Sequence, residues 1–275
     1  MIKDIVVNLS GKDPQDFAAD YAISVATTFG AHITGLSFLY EPVIPDGALG
    51  GIPVDLIELQ REENSKAAKA AVSRFEAAAK KAAVSAETRV LDATLGGAAT
   101  IFGRIARRFD LAVVAQAQRE HGASEELMIE GALFESGRPI IVVPYIQKAG
   151  MSLERVLLCW DGGRTAARAI ADAMPLLERA KAVDIVIVAE ERKNDEITGA
   201  NMNEHLARHG IAANVKRIAK ADLGIADVVL DYAADSGADL IVMGGYGHSR
   251  LREFILGGAT RGILAEMTVP VLMSH

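Results

Sequence analysis

Residues 239–273, DLIVMGGYGHSRLREFILGGATRGILAEMTVPVLM, read as a strand, a glycine-bearing loop, a helix and a second strand. DLIVM (239–243) and PVLM (270–273) are short, almost wholly apolar runs, as expected of strands buried on both faces of a parallel sheet. The same pair of runs occurs earlier in the chain, as DLAVV at 110–114 and PIIVVP at 139–144. Further out, IVVNLSG at 5–11 resembles VLLCWDG at 156–162. The matches keep their order, so the chain reads as a duplicated unit.

Each half alternates short apolar runs with helical patterns. In the first half, strands are expected at Ile2–Leu9, Ala31–Tyr40, Ala86–Leu91, Leu111–Ala115 and Ile140–Val143. Helical patterns cover Pro14–Phe29, the long Ala- and Lys-rich Val54–Ala83, Ala98–Arg108 and Glu125–Glu135. In the second half, strands are expected near 155–160, 184–189, 213–218, 239–243 and 269–273, and helices near 164–180, 202–209, 224–236 and 259–267. The fold class is therefore α/β, with two doubly wound five-stranded parallel-sheet domains at 1–146 and 153–275. The short linker Tyr145–Ser152, YIQKAGMS, implies that the halves pack on each other. The last strands, Ile140–Val143 and Val269–Met273, would otherwise be exposed apolar edges, so they are expected to meet in a pseudo-dimer.

Composition limits the function classes. Half of the 275 residues are hydrophobic and 24% are charged, as in an ordinary globular protein. The net charge of −7 argues against a broad nucleic-acid footprint. No apolar run approaches the ~18–20 residues that span a bilayer. MIKDIVVNLSG lacks the segments of a signal peptide. Cys159 is the single cysteine, which excludes an intramolecular disulfide and a multi-cysteine zinc site. Together these point to the cytoplasm, with no membrane or nucleic-acid partner.

The chemistry concentrates after the strand ending at Met243. Gly244 and Gly247 follow it, and Gly257, Gly258, Ala259 and Thr260 lead into the next helix. Glycines there permit close approach of backbone to a ligand, and a helix N-terminus offers free N–H groups to an anion. Arg250, Arg252 and Arg261 could neutralise phosphate charge. The other reading is a plain strand–loop–helix turn, and chemistry alone leaves both open. A Walker P-loop is excluded, because no G-x-x-x-x-G-K-[ST] occurs. The dinucleotide fingerprint fails at its third glycine and at its position, which would follow the first strand of the unit.

With its G-x2-G-x9-G spacing and the Asp161 of CWDGG, the chain resembles the universal stress protein family as a tandem, two-domain member. ATP-binding members carry G-x2-G-x9-G-[ST] between the fourth strand and the last helix. Gly244, Gly247 and Gly257 match that spacing, while Gly258 stands in place of the Ser or Thr and keeps only a backbone N–H. The resemblance implies that Asp161 contacts ribose or adenine and that Met243 lines the adenine side. Val188 and Ala189 are the candidates for the other adenine wall, and Thr260 stands where such members often have a Thr. It further implies an ATP cofactor, with or without Mg²⁺, a stress-response role as sensor or adaptor, and an unidentified protein partner. A homodimer of whole chains is left open.

The first half lacks this constellation. Ser10 stands where Asp161 does, and Ala115 and Gln118 stand where Gly244 and Gly247 do, so this half reads as a scaffold without the nucleotide motif. No catalytic or metal residues are assigned. His205 and His209 have a chelating i,i+4 spacing but no evident third ligand, and read as a solvated helix face. Cys159 reads as a packing residue, His248 as an exposed loop residue, and the lysines of the long helix as a solvated edge. A slow ATPase or nucleotidyl-transfer enzyme using the same pocket is an alternative. It lacks an evident general base, Walker lysine or metal cluster. An interaction module that no longer binds nucleotide is a third class.

Overall fold

The computed structural model describes residues 1–11, 15–41, 54–118, 122–189, 199–219, 223–246 and 258–275. The first half comprises β1 (Asp4–Asn8), α1 (Phe17–Phe29), β2 (His32–Tyr40), α2 (Val54–Lys81), β3 (Ala86–Ala93), α3 (Leu95–Ala106), β4 (Leu111–Ala115), α4 (Ala123–Ser136) and β5 (Ile140–Val143). The second comprises β6 (Arg155–Cys159), α5 (Arg164–Leu177), β7 (Ala182–Ala189), α6 (Gly199–Arg208), β8 (Ala213–Ala219), α7 (Ile225–Ser236), β9 (Leu240–Gly244), α8 (Ala259–Glu266) and β10 (Val271–Ser274).

All strands join one 10-stranded sheet in the order β3-β2-β1-β4-β5-β10-β9-β6-β7-β8. Pairing is parallel within each half. The halves meet where β5 pairs antiparallel with β10, Leu272 opposite Ile141. The last strands therefore seal each other's edge, as the apolar runs require. Because of that antiparallel seam, the carboxyl ends of the strands point in opposite directions in the two halves. In each half the strand order reverses beside the first strand, between β1 and β4 and between β6 and β9, which creates the crevice where ligands of such sheets bind.

Strand alternation divides the core between the two faces. One face carries Ile5, Val7, Ile33, Leu158 and Ile185, covered by α1, α2, α5 and α6. The other carries Val6, Leu36, Val114, Leu157 and Ile241, covered by α3, α4, α7 and α8. Both cores run across the seam, so the halves share them. The linker region ties in as well. Met151 N–H donates to Ser24 Oγ at 2.7 Å, and the Arg179 guanidinium lies 4.5 Å from the centre of the Phe29 ring.

Caps move some boundaries from their expected places. Helix α3 starts at Leu95 instead of Ala98, because Thr94 Oγ1 accepts the Gly97 N–H at 3.1 Å. Helix α1 starts at Phe17, where Asp16 accepts the Ala19 N–H at 3.0 Å. In β7, Asp184 is buried within an otherwise apolar strand. It is held by Arg155 Nη1 at 2.7 Å, Asn214 Nδ2 at 3.2 Å and the Tyr232 hydroxyl at 3.2 Å. This network sits at the amino ends of β6 to β8, away from the crevice.

Candidate functional site

Three adjacent strands, β9, β6 and β7, deliver the expected residues to one end of the second half. Leu158 pairs with Val242 and Cys159 with Val186, so Met243 is level with Cys159 and Val188 lies two residues further along β7. All three pack on the α7–α8 face, where Met243 is buried and Val188 half-buried. Ala189 closes β7 opposite Ala219.

Asp161 lies just beyond β6 and is exposed. One of its carboxylate oxygens accepts the Gly163 N–H at 2.7 Å, which fixes the turn into α5. The bond uses one of the two carboxylate oxygens, and the residue remains exposed. Beneath it, burial first and the Asp161 charge second push the Cys159 thiol up to about 12. The thiol stays protonated at neutral pH, which fits packing and excludes a ready nucleophile.

Gly244 ends β9 against the first turn of α5. A β-carbon there would collide with Thr165 Oγ1 and sit 2.6 Å from the Ala166 nitrogen. The glycine is thus needed for the approach of strand to helix within the protein itself. Gly245 makes a softer contact on the other side, where a β-carbon would lie 2.7 Å from the side-chain atom Leu133 Cδ2 of α4. Tyr246 follows with φ 50°, a left-handed conformation that is uncommon for an aromatic residue. Its N–H donates to Thr260 Oγ1 at 3.2 Å.

That bond gives Thr260 a role the sequence reading did not assign. The residue is 3% exposed, and its hydroxyl oxygen joins the strand end to the first turn of α8. Gly258 is the N-cap of α8 and, having no side chain, caps none of the first N–H groups of the helix itself. Ala259 opens the helix and is half-buried, while Arg261 is exposed. Gly247, Gly257, His248, Arg250 and Arg252 lie outside the described residues.

The corresponding place in the first half is built differently. Ser10 and Gly11 lie under α2. A β-carbon on Gly11 would be 3.3 Å from Ala67, and Arg74 Nη2 donates to the Ser10 carbonyl at 3.1 Å. Gln116, the counterpart of Gly245, is buried. It donates from Nε2 to the Leu264 carbonyl at 2.9 Å and accepts the Tyr145 N–H at 3.3 Å. Neither Tyr246 nor the contacts of Gly244 and Gly245 were legible as such. The adjacent glycines were the only signal.

His205 and His209 lie on an exposed part of α6 and the turn after it, with ring centres 4.9 Å apart. Among the described residues no group of three or more His, Cys, Asp or Glu is placed to hold a metal ion. No helix among them is long and apolar enough to cross a membrane.

Comparison with known proteins follows the same division. Residues 152–275 match the model of the universal stress protein family. A universal stress protein of Synechocystis sp. is 37% identical over 46 residues, which cover 17% of this chain and 16% of that protein. Among solved structures, a universal stress protein from Archaeoglobus fulgidus superposes with a TM-score of 0.72 at 18% identity, covering 98% of this chain and 94% of the other. A putative universal stress protein from Pseudomonas aeruginosa superposes with a TM-score of 0.61 at 15% identity, covering 98% and 92%. These two superpositions establish the shared fold over the whole chain.

Proposed function

From the membership of residues 152–275 in the universal stress protein family, we propose that the chain is an ATP-binding stress-response protein of the cytoplasm. It acts as a sensor or adaptor, with one nucleotide held in the second half. The observation that carries this reading is the convergence at the β6–β9 crevice. Asp161 is exposed there, Val188 and Met243 share one face, and α8 begins at a glycine N-cap. A nucleotide uses such a place in a definite way. Phosphate charge is favoured by the free N–H groups and dipole of α8, and the ribose or adenine end by the Asp161 carboxylate. Gly247 and Gly257 belong to the same reading through their spacing. Mg²⁺ would accompany the phosphates, and a protein partner would read the nucleotide-dependent state.

Titration calorimetry with ATP tests the proposal. The parent chain is expected to bind one equivalent. Asp161→Ala should weaken binding by ~1.5–3 kcal/mol, the scale of a charge-assisted hydrogen bond, while Ser10→Ala leaves it unchanged. Two equal sites, or a loss confined to the Ser10 variant, would place the nucleotide in the wrong half. Radiolabelled ATP in the same preparations separates a binder, which releases it intact, from a slow ATPase.

A further inference from the structure

Gly245 and Tyr246, which follow β9, do not rest on their own half alone. Gly245 is packed against Leu133, so closely that a β-carbon would lie 2.7 Å from Cδ2 and the leucine side chain would have to shift. The Tyr246 ring lies on Phe134, with centres 5.2 Å apart. Phe134 also meets the edge of the His275 ring at 4.9 Å, and His275 Nδ1 is 3.0 Å from the Gly245 carbonyl oxygen. Leu133 and Phe134 belong to α4, the last helix of the first half. The symmetry-related contact is chemically different, since Gln116 there bonds to the backbone of Leu264 and Ala265. The ring pair is therefore a property of one crevice only.

We infer that Leu133 and Phe134 of the first half are positioning residues for the nucleotide site of the second half. Tyr246 holds a left-handed backbone, and its N–H points to Thr260 Oγ1 in the first turn of α8. An aromatic residue adopts that conformation only where its surroundings impose it. Leu133 sets the height of Gly245, and Phe134 sets the side on which the Tyr246 ring lies. Between them they hold the strand end in register with the first turn of α8. The half without a nucleotide motif thereby completes the site of the half that has one. This inference rests on the nucleotide reading above.

The test combines ATP calorimetry with amide exchange on the full chain. Phe134→Ala is expected to weaken ATP binding about tenfold, the scale of a lost aromatic pair, and to speed exchange of the Tyr246 amide. Phe134→Tyr, which keeps the ring, should restore both. Gly245→Ala should also weaken binding, and Gly245→Ala with Leu133→Ala should regain part of it, because the leucine no longer occupies the space. Parent-like affinity together with parent-like Tyr246 exchange in Phe134→Ala overturns the inference while leaving the nucleotide reading intact. Absence of ATP binding in the parent overturns the nucleotide reading. In that case accelerated Tyr246 exchange still separates positioning by Phe134 from no positioning.

Discussion

At the carboxyl end of β1 the chain turns through Ser10 and Gly11 beneath a 28-residue helix, α2. At the carboxyl end of β6 it turns through Asp161 and Gly162, both exposed. The strands below are built alike, yet the first turn lies beneath the protein's own helix, and among the described residues no helix lies in the same way over the second. Two glycines explain how α2 comes so close. Gly11 admits Ala67, and Gly35 in β2 admits Phe75, whose ring is 3.0 Å from where a β-carbon would be. By strand register Gly35 corresponds to Ile185 in β7, a fully buried side chain that fills the equivalent space. Duplication conserved the sheet, and the choice of small or large residue beneath one helix sets how closely that helix approaches the strands.

The largest expected effect comes from undoing that cover. Phe75→Ala removes the buried ring that anchors α2 and should cost ~3–5 kcal/mol in urea denaturation. It should also raise the exchange rates of the Ser10 and Gly11 amides. If those amides stay protected, α2 does not depend on Phe75 and the contrast between the crevices must come from elsewhere. Gly244→Ala comes next. Its β-carbon meets Thr165 and the Ala166 backbone, so α5 must shift, at ~1–3 kcal/mol of overpacking. The reverse change, Ala115→Gly at the matching place, should cost only ~0.5–1 kcal/mol. Equal costs would show that the two strand ends are less distinct than their contacts indicate.

Gln116→Ala leaves the Tyr145 N–H and the Leu264 carbonyl without their partner and should cost ~1–2 kcal/mol. Thermal unfolding of the full chain measures it. The smallest effect concerns Asp16, whose carboxyl is raised above its ordinary value by burial, offset by bonds from the Ala19 and Ser10 N–H groups. The folded chain therefore holds that proton more tightly than the unfolded one. The resulting contribution is present at low pH and is lost as pH rises from the ordinary 3.8 through the raised folded value. Asp16→Asn should flatten that limb of the stability profile, and the second half offers no counterpart.

Much of this architecture is legible in short stretches. The runs IIVV at 140–143 and VLM at 271–273 imply edges that must be covered, and the structure pairs them. The alternation of apolar runs with helical patterns yields the five strands of each half in order, and their union in one 10-stranded sheet comes from the β5–β10 pairing. Helix starts are less legible, because Thr94 acts through a hydroxyl bond that competes with the apolar pattern beginning at Ala98. Of the site, Asp161, Val188, Met243 and Gly244 are found together because strand ends in a doubly wound sheet must converge at the reversal of strand order.

What no local pattern contains is the identity of the neighbour. Gly245 and Tyr246 are separated from Leu133 and Phe134 by more than a hundred residues of chain, and their contact exists only because β5 and β10 pair antiparallel. The same holds for Gln116 and the carbonyls of α8. The amino-acid sequence by itself determines the elements, their order and the duplication, since these follow from periodicity and turn chemistry within each segment. The tertiary structure alone decides that α2 lies over the turn after β1 and that α4 packs against Gly245 and Tyr246. Those outcomes depend on side-chain volumes meeting across elements, and a glycine is revealed as a close contact only when its neighbour is known.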